Sequence, residues 1–314
     1  MMDLVWVISG SIICIFVLSI LYWKYLNLRL SSRLLSLSLG LPLLFIVFEF
    51  SIIIAKNFTF SIIISSIIVL VSILTAFRCL PGGVKILSKI GEIDNIPIYL
   101  CETKHEYSNA WYNHKKKAIY VTKRLRKILT EEELKAVLEH EIGHQRTPWI
   151  NSLLSYLAIF SSLLVFSLII LVYLFALMFP KFMSGYIELL MIFIFVAVCS
   201  SLILWVEEHE ADRNAIKKYK DVEKFATSLI KIEMDSYVRK FSPLIDVKIE
   251  QVLQFNFENK RYTYINFLRD FLYYFFSYVV LSVSDIFHRD IFLTHPPTKF
   301  RILYLTNFLK ENEK

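Results

Sequence analysis

The chain has 314 residues, of which 56% are hydrophobic and 20% are charged, and its formal net charge is +7. Soluble domains carry about 45–50% apolar and about 25% charged residues, so this balance favours a membrane protein over an ordinary soluble domain. The four cysteines form no CxxC pair, which excludes a cysteine zinc ribbon and a dense disulfide framework.

Five apolar runs are long enough to cross a hydrocarbon core, which takes about 20 helical residues. The first run lacks the basic segment that opens a cleaved signal peptide, so it is interpreted as a retained anchor. The runs cover roughly 4–23, 34–54, 59–77, 152–179 and 185–206. They predict a mainly α, polytopic membrane protein with about five transmembrane helices.

Lysine and arginine residues are concentrated after the first run and after the third, whereas the opposite connections carry only Lys56 and Lys181. The positive-inside rule then places residues 78–150 and 207–314 in the cytoplasm, with the N-terminus outside. We therefore expect a three-span bundle over 1–77, a cytoplasmic domain formed by 78–150 with 207–314, and a transmembrane hairpin over 151–206. The expected location is the plasma membrane of a prokaryote.

The polar part of the chain predicts both strands and helices. Residues 96–100 and 118–122 are typical of short strands, being rich in β-branched and aromatic side chains. A helix is predicted to begin with a capping box, in which Thr130 is the N-cap and Glu133 follows three residues later. Apolar residues recur at helical spacing until Thr147-Pro148 ends this helix.

That helix contains His140-Glu141-Ile142-Gly143-His144, an HExxH motif. Residues four apart lie on one helical face, so the two histidines can present their imidazoles to one metal ion. Glu141 can hold a water molecule and accept its proton during attack on a peptide carbonyl. The alternative, two solvated histidines on an ordinary charged helix, is the less favoured interpretation.

A second acidic cluster follows the fifth apolar run. Glu208 and Asp212 are four residues apart, so one carboxylate can complete a zinc site while the other orients a ligand histidine. The alternative is a solvated acidic turn. Residue types alone leave four candidates open for the third ligand, namely Glu207, Glu208, His209 and Glu210.

The HExxH motif followed by ExxAD resembles the HtpX and CAAX prenyl endopeptidase family of membrane zinc metallopeptidases. The resemblance covers roughly residues 78–305. It implies a gluzincin-like α+β peptidase domain that binds one Zn²⁺ per chain through His140, His144 and Glu208. It also implies that Asp212 supports a ligand histidine.

Two further segments resemble family motifs. Asn109-Ala110-Trp111 is similar to a segment that helps to bind the substrate backbone, although Tyr112 stands where the family usually has a small alanine. Thr294-His295-Pro296-Pro297, followed by Arg301-Ile302, is similar to the family's C-terminal segment. The resemblance implies that His295 lies near the active site and stabilises the oxyanion.

The expected function is an ATP-independent, zinc-dependent endopeptidase at the cytoplasmic membrane face, since the sequence contains no P-loop. The expected partners are the lipid bilayer and membrane-associated or misfolded polypeptides, with no nucleic acid. Alternatives are a sensor-transducer metalloprotease of the BlaR type, a CAAX prenyl-protein endopeptidase, and a non-enzymatic scaffold stabilised by zinc. The aromatic run 271–284 predicts a buried or interfacial helix.

Overall fold

The computed structural model describes residues 2–56, 84–103, 108–113, 116–146, 183–241, 262–284 and 295–312. The helices are α1 (Met2–Leu26), α2 (Ser32–Lys56), α3 (Lys123–Ile128), α4 (Glu131–Gly143), α5 (Met183–Tyr219), α6 (Val222–Phe241), α7 (Tyr264–Ser284) and α8 (Thr298–Asn312). The strands are β1 (Lys85–Ile93), β2 (Ile96–Glu102), β3 (Ala110–Asn113) and β4 (Ala118–Thr122).

The chain forms two compact units, each assembled from separate stretches of sequence. The first comprises Met1–Leu80, Pro148–Glu207 and Thr263–Pro296, and the second comprises Pro81–Thr147, Glu208–Tyr262 and Pro297–Lys314. The predicted domain boundaries stay a prediction.

The first unit is helical and has an aromatic core. The ring of Tyr22 on α1 lies 5.6 Å from that of Trp205 on α5 and 6.2 Å from that of Phe271 on α7. All three side chains are fully buried. Helix α7 confirms the helix predicted over 271–284 but begins earlier, at Tyr264.

The predicted polytopic membrane architecture is wrong for the part of the chain that the structure describes. Within the described ranges, no helix combines the length and the apolar character that crossing a membrane requires. The predicted spans over 59–77 and 152–179 lie outside these ranges. Hydropathy alone does not show what covers an apolar run: Leu35, Leu39 and Leu43 of α2 lie at helical spacing and are fully buried within the protein. The predicted cellular location stays a prediction.

The second unit contains a four-stranded mixed sheet in the order β1-β2-β4-β3. Strand β2 pairs antiparallel with β1 and parallel with β4, and β3 pairs antiparallel with β4. The strands predicted over 96–100 and 118–122 are confirmed as β2 and β4. Strand β4 is buried along its whole length, which suits its run of β-branched and aromatic residues.

Helix α4 packs against this sheet and carries the HExxH motif. Its apolar side chains Leu134, Val137, Leu138 and Ile142 share one core with Ile98, Ile119 and Val121 of the sheet. The predicted capping box is confirmed, because Thr130 Oγ1 accepts from the Glu133 amide while the Glu133 carboxylate accepts from the Thr130 amide. The box fixes where the helix begins and therefore which residues face the sheet.

The same Glu133 carboxylate accepts two hydrogen bonds of 2.8 Å from Lys231 Nζ on α6. Burial alone would raise the pKa of Glu133, but the bonds from Lys231 and Thr130 outweigh it and hold the pKa below its ordinary value. A carboxyl whose folded pKa is lowered stabilises the fold above its ordinary pKa, and this contribution is lost as the pH falls through the folded value.

We expect Lys231→Met to destabilise the protein by about 1–3 kcal/mol at pH 7, because it leaves a buried carboxylate with one ionic partner fewer. The difference from wild type should shrink as the pH falls from the ordinary glutamate pKa toward the lower folded value, because protonation of Glu133 weakens the same interaction in the wild type. Urea unfolding of both proteins at pH 7 and pH 4 measures this. An equal difference at both values would contradict the assignment.

Candidate active site

Residues from two helices bring together the three predicted metal ligands within the second unit. His140 and His144 lie at the C-terminal end of α4, and Glu208 lies on α5. One ligand atom from each of these residues lies within 4.8 Å of the other two. Among the residues that the structure describes, this is the only group of three or more such side chains suited to hold a metal ion.

The distances within this group favour a shared ion over direct hydrogen bonds. The Nε2 atom of His140 lies 3.4 Å from one carboxylate oxygen of Glu208, and Nε2 of His144 lies 3.5 Å from the other. Ligand atoms of a tetrahedral zinc site with bonds of about 2.0–2.1 Å stand roughly 3.3 Å apart. Both histidines direct Nε2 toward the carboxylate, so the donor set is two imidazoles and one carboxylate.

Asp212 and Arg301 hold His140 in this orientation. The Nδ1 atom of His140 lies 2.8 Å from Oδ1 of Asp212, and the Nε and Nη2 atoms of Arg301 donate to Oδ2 and Oδ1 of the same carboxylate. Nη2 of Arg301 lies farther from Nδ1, at 3.4 Å. The shorter contact to a carboxylate that can only accept assigns the proton to Nδ1, which leaves Nε2 free to bind a metal.

The negative charge of Asp212 and the positive charges of His140 and Arg301 shift each other's pKa values toward the charged forms. Burial lowers the pKa of His140, but the Asp212 carboxylate outweighs it and raises that pKa above its usual value. Burial likewise opposes ionisation of Asp212, yet the Arg301 guanidinium holds the pKa of its carboxyl well below the ordinary range. Asp212 therefore remains an anion that accepts hydrogen bonds from both neighbours.

Close contact between the two helices makes the site possible. A Cβ atom added at Gly143 of α4 would lie 2.5 Å from the backbone oxygen of Ala211 on α5. No larger residue fits there without moving the backbone of α5. Glu208 lies one helical turn before Ala211, so the approach that Gly143 permits also carries Glu208 to the histidines.

The comparisons with known proteins agree with this geometry. The sequence model of peptidase family M48 matches residues 95–308, which is more than half of the chain. The chain belongs to peptidase family M48. No curated protein and no solved structure matches it. The resemblance found in the sequence is thereby confirmed, and family membership makes the chain a metallopeptidase.

In this M48 peptidase two of the other candidates for the third ligand, His209 and Glu210, contact residues other than the two histidines. His209 is fully buried, its ring lies 4.8 Å from that of Tyr304, and burial lowers its pKa to about 3. Glu210 accepts a hydrogen bond from the Tyr304 hydroxyl at 3.4 Å and lies 3.6 Å from Nη1 of Arg213. Of the described residues, Glu208 is the carboxylate that joins the two histidines.

The predicted substrate segment, residues 109–111, lies at and just before β3, which is at one edge of the described sheet. Asn109 is exposed just before β3, Ala110 is buried, and the Trp111 ring stacks on Tyr120 at 5.6 Å. The Tyr112 amide donates to the Glu141 carboxylate at 3.1 Å. The side chain proposed as the base therefore lies against the backbone of β3.

His295 belongs to the first unit and is exposed. Its predicted role as an oxyanion donor stays a prediction, as do the roles of the other site residues. Two features of the M48 site were not predicted from the sequence: the bidentate contact of Arg301 with Asp212 and the close contact of Gly143 with Ala211. The only signals were the small residues within HExxH and ExxAD and an arginine in a segment similar to a family motif.

We expect Gly143→Ala to weaken both the fold and metal binding. Glycine to alanine in a helix ordinarily stabilises by about 0.5–1 kcal/mol. Here the clash with Ala211 should reverse the sign and cost about 1–3 kcal/mol. Urea unfolding and zinc titration measure the two effects. Gly91→Ala is the matched control, because its added Cβ would meet only Ile98 Cδ1, at 3.9 Å. A Gly143→Ala protein as stable as wild type would contradict the proposed helix contact.

Proposed function

We propose that this M48 peptidase is an ATP-independent, zinc-dependent endopeptidase that cleaves extended segments of misfolded polypeptides, as in HtpX-like quality control. The observation that carries the proposal is the close grouping of His140, His144 and Glu208, with Glu141 on the same helix as the histidines. Two imidazoles and one carboxylate suit zinc, and three protein ligands leave a coordination position for chemistry.

In this proposal His140, His144 and Glu208 would hold the zinc ion. When bound, zinc supplies a Lewis acid that polarises the scissile carbonyl and makes water more acidic. Asp212 fixes the His140 tautomer that presents Nε2. The Asp212 carboxylate also stabilises positive charge on the imidazole, and Arg301 keeps that carboxylate ionised in its buried position.

Glu141 is proposed to move the protons. Its carboxylate accepts a proton from the attacking water and returns it to the leaving amine when the peptide bond breaks. The Tyr112 amide donates to Oε2 of Glu141 and so holds this side chain beside β3. Proton acceptance and return by one group balance the hydrolysis without a second acid.

The substrate is proposed to bind as an added strand beside β3. The Thr122 amide donates to the Asn109 carbonyl at 3.0 Å, so the backbone groups of Asn109 are directed toward β4. Backbone groups alternate in direction along a strand, so the amide and carbonyl of Ala110 and the carbonyl of Tyr112 are directed away from β4, where a peptide could pair. The Tyr112 amide is directed the same way and donates to the Glu141 carboxylate. An extended peptide that pairs there gains affinity through its main chain with little dependence on sequence, which suits unfolded substrates.

The experiment is cleavage of fluorescein-labelled casein by the purified full-length protein. We expect a chelator to abolish cleavage, one equivalent of Zn²⁺ per chain to restore it, and ATP to leave it unchanged. Cleavage that persists after zinc has been shown by elemental analysis to be absent would contradict the proposal. So would a zinc-loaded protein that cleaves neither casein nor another unfolded protein.

A further inference from the structure

We infer that Asp235 on α6 is a positioning residue for substrate binding, because it anchors the chain immediately before β3. The inference rests on the proposed function, in which an extended peptide pairs with β3. Asp235 is 9% exposed and lies outside both HExxH and ExxAD. It acts through Ser108, which lies just before the strand, and is not itself expected to contact the substrate.

Asp235 binds one residue that precedes β3 in the chain, Ser108, and one that follows it, Arg124 on α3. Its Oδ2 atom accepts a hydrogen bond of 2.5 Å from the Ser108 hydroxyl. Its Oδ1 atom accepts bonds of 3.1 Å and 2.7 Å from Nε and Nη2 of Arg124 on α3. Hydrogen bonds to a charged acceptor are roughly twice as strong as neutral ones, so this carboxylate is a strong anchor.

The hydrogen bond between Asp235 and Ser108 lies at the start of β3, a short strand with few pairing contacts of its own. Strand β3 has four residues and pairs on one side with β4. Its first pairing is made by Asn109, whose amide donates to Thr122 Oγ1 and whose carbonyl accepts from the Thr122 amide, both at 3.0 Å. Ser108 precedes this residue directly, so Asp235 restrains the strand where its pairing begins.

Helix α6 also contacts α4, the helix with the HExxH motif, so it touches both the metal-binding helix and the segment before β3. Lys231 of α6 binds Glu133 at the start of α4, and the Phe225 ring lies 6.2 Å from that of His140. The Lys231 contact reaches α4, while the Asp235 contact reaches the segment before β3. One helix therefore holds both the metal-binding helix and the strand beside it.

Loosening Ser108 should move the outward backbone groups of Ala110, which is two residues away. Tyr112 lies farther along the strand and is held by its bond to Glu141, so the base and the metal ligands should stay in place. Substrate affinity should fall while the chemical step is largely retained, which is the behaviour of a uniform binding interaction. We expect Ser108→Ala and Asp235→Asn to raise KM for casein by about tenfold, the size expected for one hydrogen bond to a charged group. The kcat value and the zinc content should stay within about twofold of wild type.

Lys231→Met is the matched control, because it removes a buried ionic contact made by the same helix one turn earlier. It should lose stability without a change in KM. A second readout that needs no turnover is the Kd of fluorescein-labelled casein for Glu141→Gln protein, measured by anisotropy with and without each change. Ser108→Ala and Asp235→Asn should raise that Kd about tenfold, and Lys231→Met should not.

An unchanged Kd and KM in folded, zinc-loaded Ser108→Ala and Asp235→Asn proteins would overturn the inference and leave the proposed function intact. An equal rise in the Lys231→Met protein would also overturn it, since the effect would then be general loosening of α6. Absence of casein binding and cleavage by the wild type would instead overturn the proposed function and this inference with it.

Discussion

Glu141→Gln protein should cleave casein about 10²–10⁴ times more slowly than wild type, the range for loss of a general base. Glutamine has the same shape as glutamate but cannot accept the proton from water at neutral pH. Its amide oxygen can still accept the hydrogen bond that the Tyr112 amide donates to Glu141, so the strand should stay in place. Zinc content should equal that of wild type, because Glu141 is not one of the three grouped ligands.

Glu139→Gln provides the control for this experiment. Glu139 is a buried glutamate two residues away on the same helix, and its carboxylate lies 3.0 Å from Lys218 Nζ. Lys218 also binds Asp94, so it retains a partner after the change. This variant should cleave casein at the wild-type rate. Undiminished cleavage by the Glu141→Gln protein, with zinc bound, would remove Glu141 as the base.

The elements that sequence predicted best are those fixed by local rules. The capping box sets the start of α4 through residues three apart, and β4 is marked by a short run of residues that favour buried strands. The HExxH spacing places two histidines on one face of a helix whatever the rest of the fold does. Each of these signals lies within a few residues, so no knowledge of tertiary structure was needed.

The features that sequence could not predict depend on residues far apart in the chain. Arg301 binds Asp212 across 89 positions, and Asp235 binds Ser108 across 127. Nothing local marks a charged residue as one that will be buried against a distant partner. The role of Gly143 is equally hidden in the sequence, because its lack of a side chain matters only when the Ala211 backbone lies against it.

The error in the predicted architecture has the same origin. An apolar run indicates that its side chains are removed from water, but it does not indicate whether lipid or other protein residues cover them. In the first unit Tyr22 and Trp205 cover each other, although they lie at the ends of runs predicted to face lipid. Their aromatic rings suit a membrane interface and a helical core equally well. Hydropathy alone therefore could not separate the two.

Glu208→Gln should lower zinc affinity by more than about 100-fold, which is the upper end for losing a residue that merely supports a ligand. The substitution keeps the size of the side chain and replaces an anionic oxygen ligand with a neutral amide. The two histidines would then have to hold the ion without the carboxylate whose oxygens lie 3.4 Å and 3.5 Å from their Nε2 atoms. Competition with a fluorescent chelator measures the change.

Glu210→Gln separates loss of a ligand from loss of a buried charge on α5. Glu210 is as buried as Glu208, at 7% exposure, but its carboxylate lies near Tyr304 and Arg213. It should bind zinc as wild type does. Equal zinc affinity in the two variants would show that the carboxylate of Glu208 does not hold the ion. Another residue would then have to be the third zinc ligand. The proposed peptidase chemistry would still require one open coordination position beside it.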